Sequence, residues 1–243
     1  MDLSSLAYLY VGLAAFLVGF TKTSVGGVGI LAVLLMALAI PGKASPGVLL
    51  PMLIAADIMA VIYYRRACQW HVLIRLMPAA FVGVVLGYFF LKLIPDVNFE
   101  QIIGWIILSM LAMDLGLSTA IKRHVKGRLV TAIVGMVAGA TSMIANAAGP
   151  VFGIYLLQMG LNKSEFVGTR SWYFLVMNMA KLPFAIGLGL VTPQTLTLNL
   201  TYLPVILIGA VLGYKFLNYI NIRVFGVLIR VAVLASAARL ILY

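Results

Sequence analysis

From residue 5 to residue 242 the chain is an almost continuous succession of apolar runs joined by short polar segments. The runs lie near 5–20, 28–40, 48–64, 72–92, 101–119, 129–146, 150–160, 171–190, 200–217 and 222–242. No water-facing surface can be built between them, because only 9% of residues are charged and 64% are apolar, against about 25% charged in a soluble domain. Disordered, collagen-like and disulfide-rich folds are excluded by the same composition. The single cysteine, Cys68, rules out an internal disulfide and offers no metal cluster. The sequence therefore describes an all-α polytopic membrane protein. Its first residues carry an acid, Asp2, where a signal peptide needs a basic region, so the opening run is read as part of the fold.

Length divides the runs into two kinds. Crossing about 30 Å of hydrocarbon takes about 20 helical residues. Runs 72–92, 101–119, 171–190, 200–217 and 222–242 meet this, and 48–64 just does. The others are shorter and come in pairs, 5–20 with 28–40 and 129–146 with 150–160. At ~1.5 Å per residue, 28–40 reaches ~20 Å and 150–160 only ~16 Å, so neither crosses alone. Each pair is divided by small and polar residues: Thr21-Lys22-Thr23-Ser24-Val25-Gly26-Gly27-Val28-Gly29, and Thr141-Ser142-Met143-Ile144-Ala145-Asn146-Ala147-Ala148-Gly149-Pro150. Irregular backbone at membrane depth survives only inside protein or beside a watery cavity. Two broken, re-entrant helix hairpins fit, giving about 8 transmembrane segments, or 10 counting half-helices.

The two hairpins belong to a duplication. Residues 78–88, PAAFVGVVLGY, echo residues 204–214, PVILIGAVLGY, at a spacing of 126. Gly19 and Gly29 match Gly139 and Gly149 at 120, and Gly47 and Asp57 match Gly168 and Asn178 at 121. The expected layout is a single transmembrane domain of two repeats, about 5–120 and 129–242, joined by a basic linker at 121–128. Each repeat is a broken hairpin followed by three spanning helices. The net charge of +11 is concentrated in two loops, Arg65, Arg66, His71 and Arg75, then Lys122, Arg123, His124, Lys126 and Arg128. By the positive-inside rule these loops are cytoplasmic, and no nucleic-acid partner is needed to explain them. Loop 41–47 then lies outside and its counterpart 161–170 inside, so the repeats are inverted and both chain ends fall outside.

In inverted-repeat transporters, substrate sites lie near the midplane at the ends of interrupted helices. The N-terminus of a helix carries about half a positive charge and free N–H groups, a ready anion site. Helix 28–40 starts after Gly26 and Gly27, and helix 150–160 starts at Pro150 after Gly149. Inverted symmetry is expected to bring these two starts together around a small anion. Candidate substrate-binding residues are Thr21, Lys22, Thr23, Ser24, Gly26, Gly27, Thr141, Ser142, Asn146 and Gly149. The competing readings are that the hydroxyls only satisfy the broken backbone and that Lys22 snorkels to water.

A charge at the centre of a spanning helix costs ~2.5–3.5 kcal/mol on insertion scales, so each such residue needs a purpose. Asp57 and its counterpart Asn178 sit mid-helix, with Lys181 on the same face as Asn178. Asp57 reads as a proton-coupling carboxylate, or as the ion-pair partner of Lys181 or Lys22 in a structural or gating role. Arg170 and Trp172 open a helix in this reading, as a cytoplasmic-side anion contact or an interfacial anchor. Arg230 reads as a snorkelling cation and Asp114 as a partner of Arg123 or the loop cations. Gly83-x-x-x-Gly87, Gly209-x-x-x-Gly213 and Gly135-x-x-x-Gly139 read as helix packing. Tyr63, Tyr64, Trp70, Tyr88 and Tyr219 read as belt anchors. No H-E-x-x-H, Walker loop or dinucleotide fingerprint is present, so neither an enzyme nor a cofactor is expected.

The glycine-bearing break TKTSVGGVGILAVLLMAL, the following polar helix, the basic loop and the repeated P-x4-G-x3-G resemble the TauE/SafE sulfite-exporter family. The stretch FVGTRSWYFLVMNMAKLPFAIGLGL is similar to the corresponding part of its second half, and the likeness covers about residues 5–242. The resemblance implies a permease for sulfite, organosulfonates or other small anions in a bacterial-type inner membrane. It places the site at the breaks around Thr23 to Gly29 and Asn146 to Pro150. Many members begin the first break with G-x-G-G-G, whereas this chain has S-V-G-G-V-G with Lys22 upstream. The rival classes are a non-transporting scaffold or assembly subunit, with breaks that only shape a packing surface, and an anion channel. Coupling to protons or sodium and assembly into a homodimer are left open by the sequence.

Overall fold

The structure, a computed structural model, describes residues 4–24, 29–95, 99–116 and 127–216. Every regular element among them is a helix: α1 (Ser5–Thr23), α2 (Gly29–Ala39), α3 (Ala44–Tyr64), α4 (Trp70–Leu93), α5 (Phe99–Gly116), α6 (Arg128–Ala145), α7 (Gly149–Leu157), α8 (Lys163–Gly187) and α9 (Pro193–Phe216). Five of them, α1, α3, α4, α6 and α9, are long and apolar enough to cross a membrane. With large apolar side chains such as Leu93, Trp105 and Leu200 turned outward, the chain is an integral, multi-pass membrane protein. The run at 222–242, Arg230, Tyr219 and loop cations 122–126 lie outside the described residues.

Three helix pairs organise the bundle. α1 runs parallel to α9, because Tyr8 lies beside Tyr202, Gly19 beside Ile206 and Phe20 beside Gly213. α4 runs parallel to α6, with Gly135 beside Leu76, Gly83 beside Met136 and Gly87 beside Met143. α3 and α8 run antiparallel, with Gly47 beside Leu190 and Gly168 beside Tyr64 and Ala67, and Asp57 touching Asn178 between them. The parallel pairs bring backbone against backbone, as small residues allow in lipid. A Cβ on Gly139 would stand 1.9 Å from the Ala80 carbonyl oxygen, and one on Gly19 would stand 2.0 Å from that of Ile206. The glycine motifs are packing surfaces, as expected.

Element lengths refine the hairpins. The first run extends to Thr23 because the Thr21 hydroxyl donates to the Val18 carbonyl and Thr23 to that of Gly19, both at 3.3 Å, absorbing polar side chains into the helix. α1 therefore has 19 residues and α6 has 18, about 28 and 27 Å at the helical rise. Both long arms are long enough to cross, and the partner arms α2, 11 residues, and α7, 9 residues, are not.

α8 begins at Lys163, well before the apolar run at 171. A capping box fixes the start: Asn162 Oδ1 accepts from the Glu165 N–H at 3.0 Å, and Glu165 Oε2 accepts from the Asn162 N–H at 3.0 Å. Arg170 therefore lies two turns inside a helix instead of opening one.

Candidate functional site

At the first break α1 ends and its last carbonyls need donors. Arg170 supplies them from α8: its Nη2 donates to the carbonyls of Thr21 at 2.8 Å, Ser24 at 2.6 Å and Lys22 at 3.3 Å. The Tyr64 hydroxyl donates to the Thr23 carbonyl at 3.1 Å. Tyr64 is 7% exposed and so braces the break instead of serving as a belt anchor. The Thr23 hydroxyl also reaches the Ala210 carbonyl at 2.7 Å, tying the break to α9. Lys22 does not snorkel. Its side chain turns inward, with Nζ 2.7 Å from Asp57 Oδ1 and 4.0 Å from the centre of the Phe174 ring. Asn178 Nδ2 donates to the other Asp57 oxygen at 2.6 Å. Of the partners weighed for Asp57, Lys22 is the one it meets.

The second break is built differently. α6 ends at Ala145, and Asn146 takes the left-handed conformation with φ 54°, its N–H bonding back to the Ser142 carbonyl at 3.0 Å. Asparagine tolerates this conformation better than most residues. Lys181 Nζ donates to the Ser142 carbonyl and hydroxyl, both at 2.9 Å, and to Asn146 Oδ1 at 2.7 Å. Asn146 Nδ2 donates across to the Pro46 carbonyl at 2.9 Å. Beside these groups a small cleft lies between Pro46, Gly47, Leu50, Met143, Asn146, Lys181, Ala185 and Leu190. A Cβ on Gly149, at the start of α7, would meet nothing within 4 Å among the described residues.

One face of α8 serves both breaks. Arg170, Phe174, Asn178 and Lys181 follow at spacings of four, four and three, which stacks them along one side of a helix. Arg170 stands about 12 Å before Asn178 along the axis and Lys181 about 4.5 Å after it. The cations that hold the two breaks are thus stepped in depth, with the Lys22–Asp57 pair between them.

The expected residues sort by this geometry. Lys22, Asp57, Asn178, Lys181, Ser142 and Asn146 carry the polar contacts, and Arg170 reaches the first break through backbone. The hydroxyls of Thr21 and Thr141 bond their own helices, Thr141 to the Val137 carbonyl at 2.7 Å, and Ser24 contributes its carbonyl. Gly26 and Gly27 lie outside the described residues, as does the side chain of Asp114. Phe174 and the cleft wall of Pro46, Leu50 and Leu190 were not singled out from sequence, although Phe174 shares the helical spacing of Arg170 and Asn178, and Tyr64 was read only as a belt anchor. Trp172 packs on Trp70, ring centres 5.1 Å apart. In the α3–α4 loop, burial pushes the Cys68 thiol up to about 11, away from the reactive thiolate. Among the described residues no group of three or more His, Cys, Asp or Glu could hold a metal ion.

Two broken hairpins gripped by buried cations of one crossing helix define a polytopic helical protein with a charged, lipid-shielded centre, the architecture of a small-solute carrier. The chain belongs to the sulfite exporter TauE/SafE family, whose model matches residues 11–240, and this is a family of membrane transporters. No curated protein and no solved structure matches the chain.

Proposed function

We propose that the chain is a permease that moves a small anion, sulfite, an organosulfonate or a related sulfur-bearing or carboxylate anion, by alternating access across a bacterial-type inner membrane. The observation that carries this reading is Lys181. It is 1% exposed, its hydrogen bonds go to neutral oxygens of Ser142 and Asn146, and it borders the cleft at the second break. An ammonium held by neutral acceptors keeps most of its attraction for an anion at low local dielectric. The start of α7 adds the positive end of a helix dipole. Among the described residues, three of the four buried charged side chains, Lys22, Arg170 and Lys181 against Asp57, are cations.

The transport cycle rests on the two repeats, about 5–120 and 129–242, being inverted copies. Three features support this: α3 and α8 cross antiparallel at Asp57 and Asn178, and each long arm, α1 or α6, lies parallel to a helix of the other repeat. Exposed Arg65, Arg66, His71 and Arg75 at one end favour the cytoplasm for that end by the positive-inside rule, and in this reading the cleft opens to the outside. A proton or sodium gradient, or the substrate's own gradient, supplies the drive. Uptake of labelled sulfite and methanesulfonate into proteoliposomes tests the proposal. Saturable, slow flux is expected. Unitary conductance would reassign the chain as a channel, and absence of both flux and anion-dependent stabilisation would leave a scaffold and overturn the reading.

A further inference from the structure

We propose that the Asp57 carboxylate is a tethered stand-in for the transported anion: it occupies the Lys22 ammonium while the carrier is empty, and an incoming oxyanion takes Lys22 from it. The inference rests on the permease reading and adds a second anion position, deeper than the cleft at Lys181.

The contacts of Asp57 divide between its two oxygens. Oδ2 accepts from Asn178 at 2.6 Å. Oδ1 meets the Lys22 ammonium alone at 2.7 Å, a charge-assisted contact among the described residues, and stands where one oxygen of a bound carboxylate or sulfonate would. The two members of the pair also differ in access. The Lys22 side chain keeps 11% of its surface and Asp57 none, so a solute reaches the cation without first reaching the carboxylate. Lys22 lies at the end of α1, beside the break.

Displacement has a supporting frame. The Phe174 ring lies 4.0 Å from Lys22 Nζ, and a cation held over an aromatic face keeps its place when its counter-ion changes. Asn178 retains Oδ2, so the carboxylate has a second anchor to pivot on. Lys22 and Asn178 meet Asp57 from two different hairpin and crossing elements, α1 and α8, so an anion that takes over Lys22 loosens α3 from α1 while leaving it on α8. Substrate entry is thereby linked to a contact between moving parts. A tethered competitor acts at an effective concentration in the millimolar range or above, so its removal is expected to tighten the anion by at least about tenfold.

The test uses purified full-length protein in detergent, with methanesulfonate and sulfite as probes and chloride at matched ionic strength as control. Asp57→Asn keeps the amide-sized side chain and removes the charge. Its midpoint for anion-dependent thermal stabilisation is expected to fall at least about tenfold below that of the wild type. The double variant Lys22→Met with Asp57→Asn is expected to show no such gain. Asp57→Asn leaves Lys22 unpaired, so it is purified in methanesulfonate, which is expected to restore its stability toward that of the wild type. A folded Asp57→Asn protein with an unchanged or weaker midpoint overturns the stand-in, as does collapse of that variant in the presence of methanesulfonate. Wild-type flux separates the two readings: saturable flux with no gain in Asp57→Asn sinks only the stand-in, and no flux or anion response in any form sinks both.

Discussion

Replacing Lys181 by methionine separates a substrate contact from a structural cap. Methionine matches the length of the stem and deletes the ammonium. The Ser142 carbonyl keeps the Asn146 N–H at 3.0 Å, the Ser142 hydroxyl is free to rotate, and Asn146 keeps Pro46 through Nδ2. One acceptor, Asn146 Oδ1, is left bare, at a cost of about 1–3 kcal/mol. Against this, burial of an ammonium costs several kcal/mol, and that cost disappears with the charge. The two effects oppose, so the unfolding free energy is expected to stay within about 2 kcal/mol of the wild type. Anion binding has no such compensation. A hydrogen bond to a charged partner is worth about 1.5–3 kcal/mol, so affinity for methanesulfonate is expected to fall about 10- to 150-fold. Thermal unfolding across an anion titration reads both quantities in one experiment, and proteoliposome KM gives an independent check. A large loss of Tm with an unchanged anion midpoint would refute the argument and leave Lys181 as a clamp on the second break.

Two further pairs of substitutions probe the frame. Gly139→Ala is expected to cost about 1–3 kcal/mol because its Cβ would stand 1.9 Å from the Ala80 carbonyl oxygen, whereas Gly153→Ala on α7, with nothing within 4 Å among the described residues, is expected to be near neutral; comparison of Tm in one detergent checks the pair. At Asn146, with φ 54°, Asn146→Gly and Asn146→Ala both lose the amide, but only alanine adds about 1–2 kcal/mol of left-handed strain, so the alanine variant is expected to melt lower.

Much of this arrangement was legible because lipid narrows the choices. Small residues at a spacing of four mark where helices touch, and the pairs Gly83–Gly87, Gly135–Gly139 and Gly209–Gly213 do so. Polar joints inside runs too short to span mark the breaks, and the α1–α2 and α6–α7 turns fall there. Partners were harder. Helical periodicity puts Asn178 and Lys181 on one face but does not say which cation from another helix meets Asp57, and the direction of the Lys22 side chain decides that. Arg170 was misplaced because the charged first turns of α8 lower the apolar signal, although the Asn162-x-x-Glu165 capping box marks the start. Tyr64 ends a helix, where an aromatic suits an anchor and a buried donor equally, and only its contact with Thr23 distinguishes them.

The exchange of helices between halves has a consequence for how the protein is made. The groove around Gly19 on α1 is filled by Ile206 and Ala210 of α9, which leave the ribosome nearly two hundred residues later. At about 5–20 residues per second, α1 waits roughly 10–40 s in the bilayer with its backbone groove unfilled. The α4 groove around Gly83 waits only for α6, a matter of a few seconds at the same rate. The N-terminal half therefore enters the membrane as an unfinished surface, and its first helix is the last to find its mate.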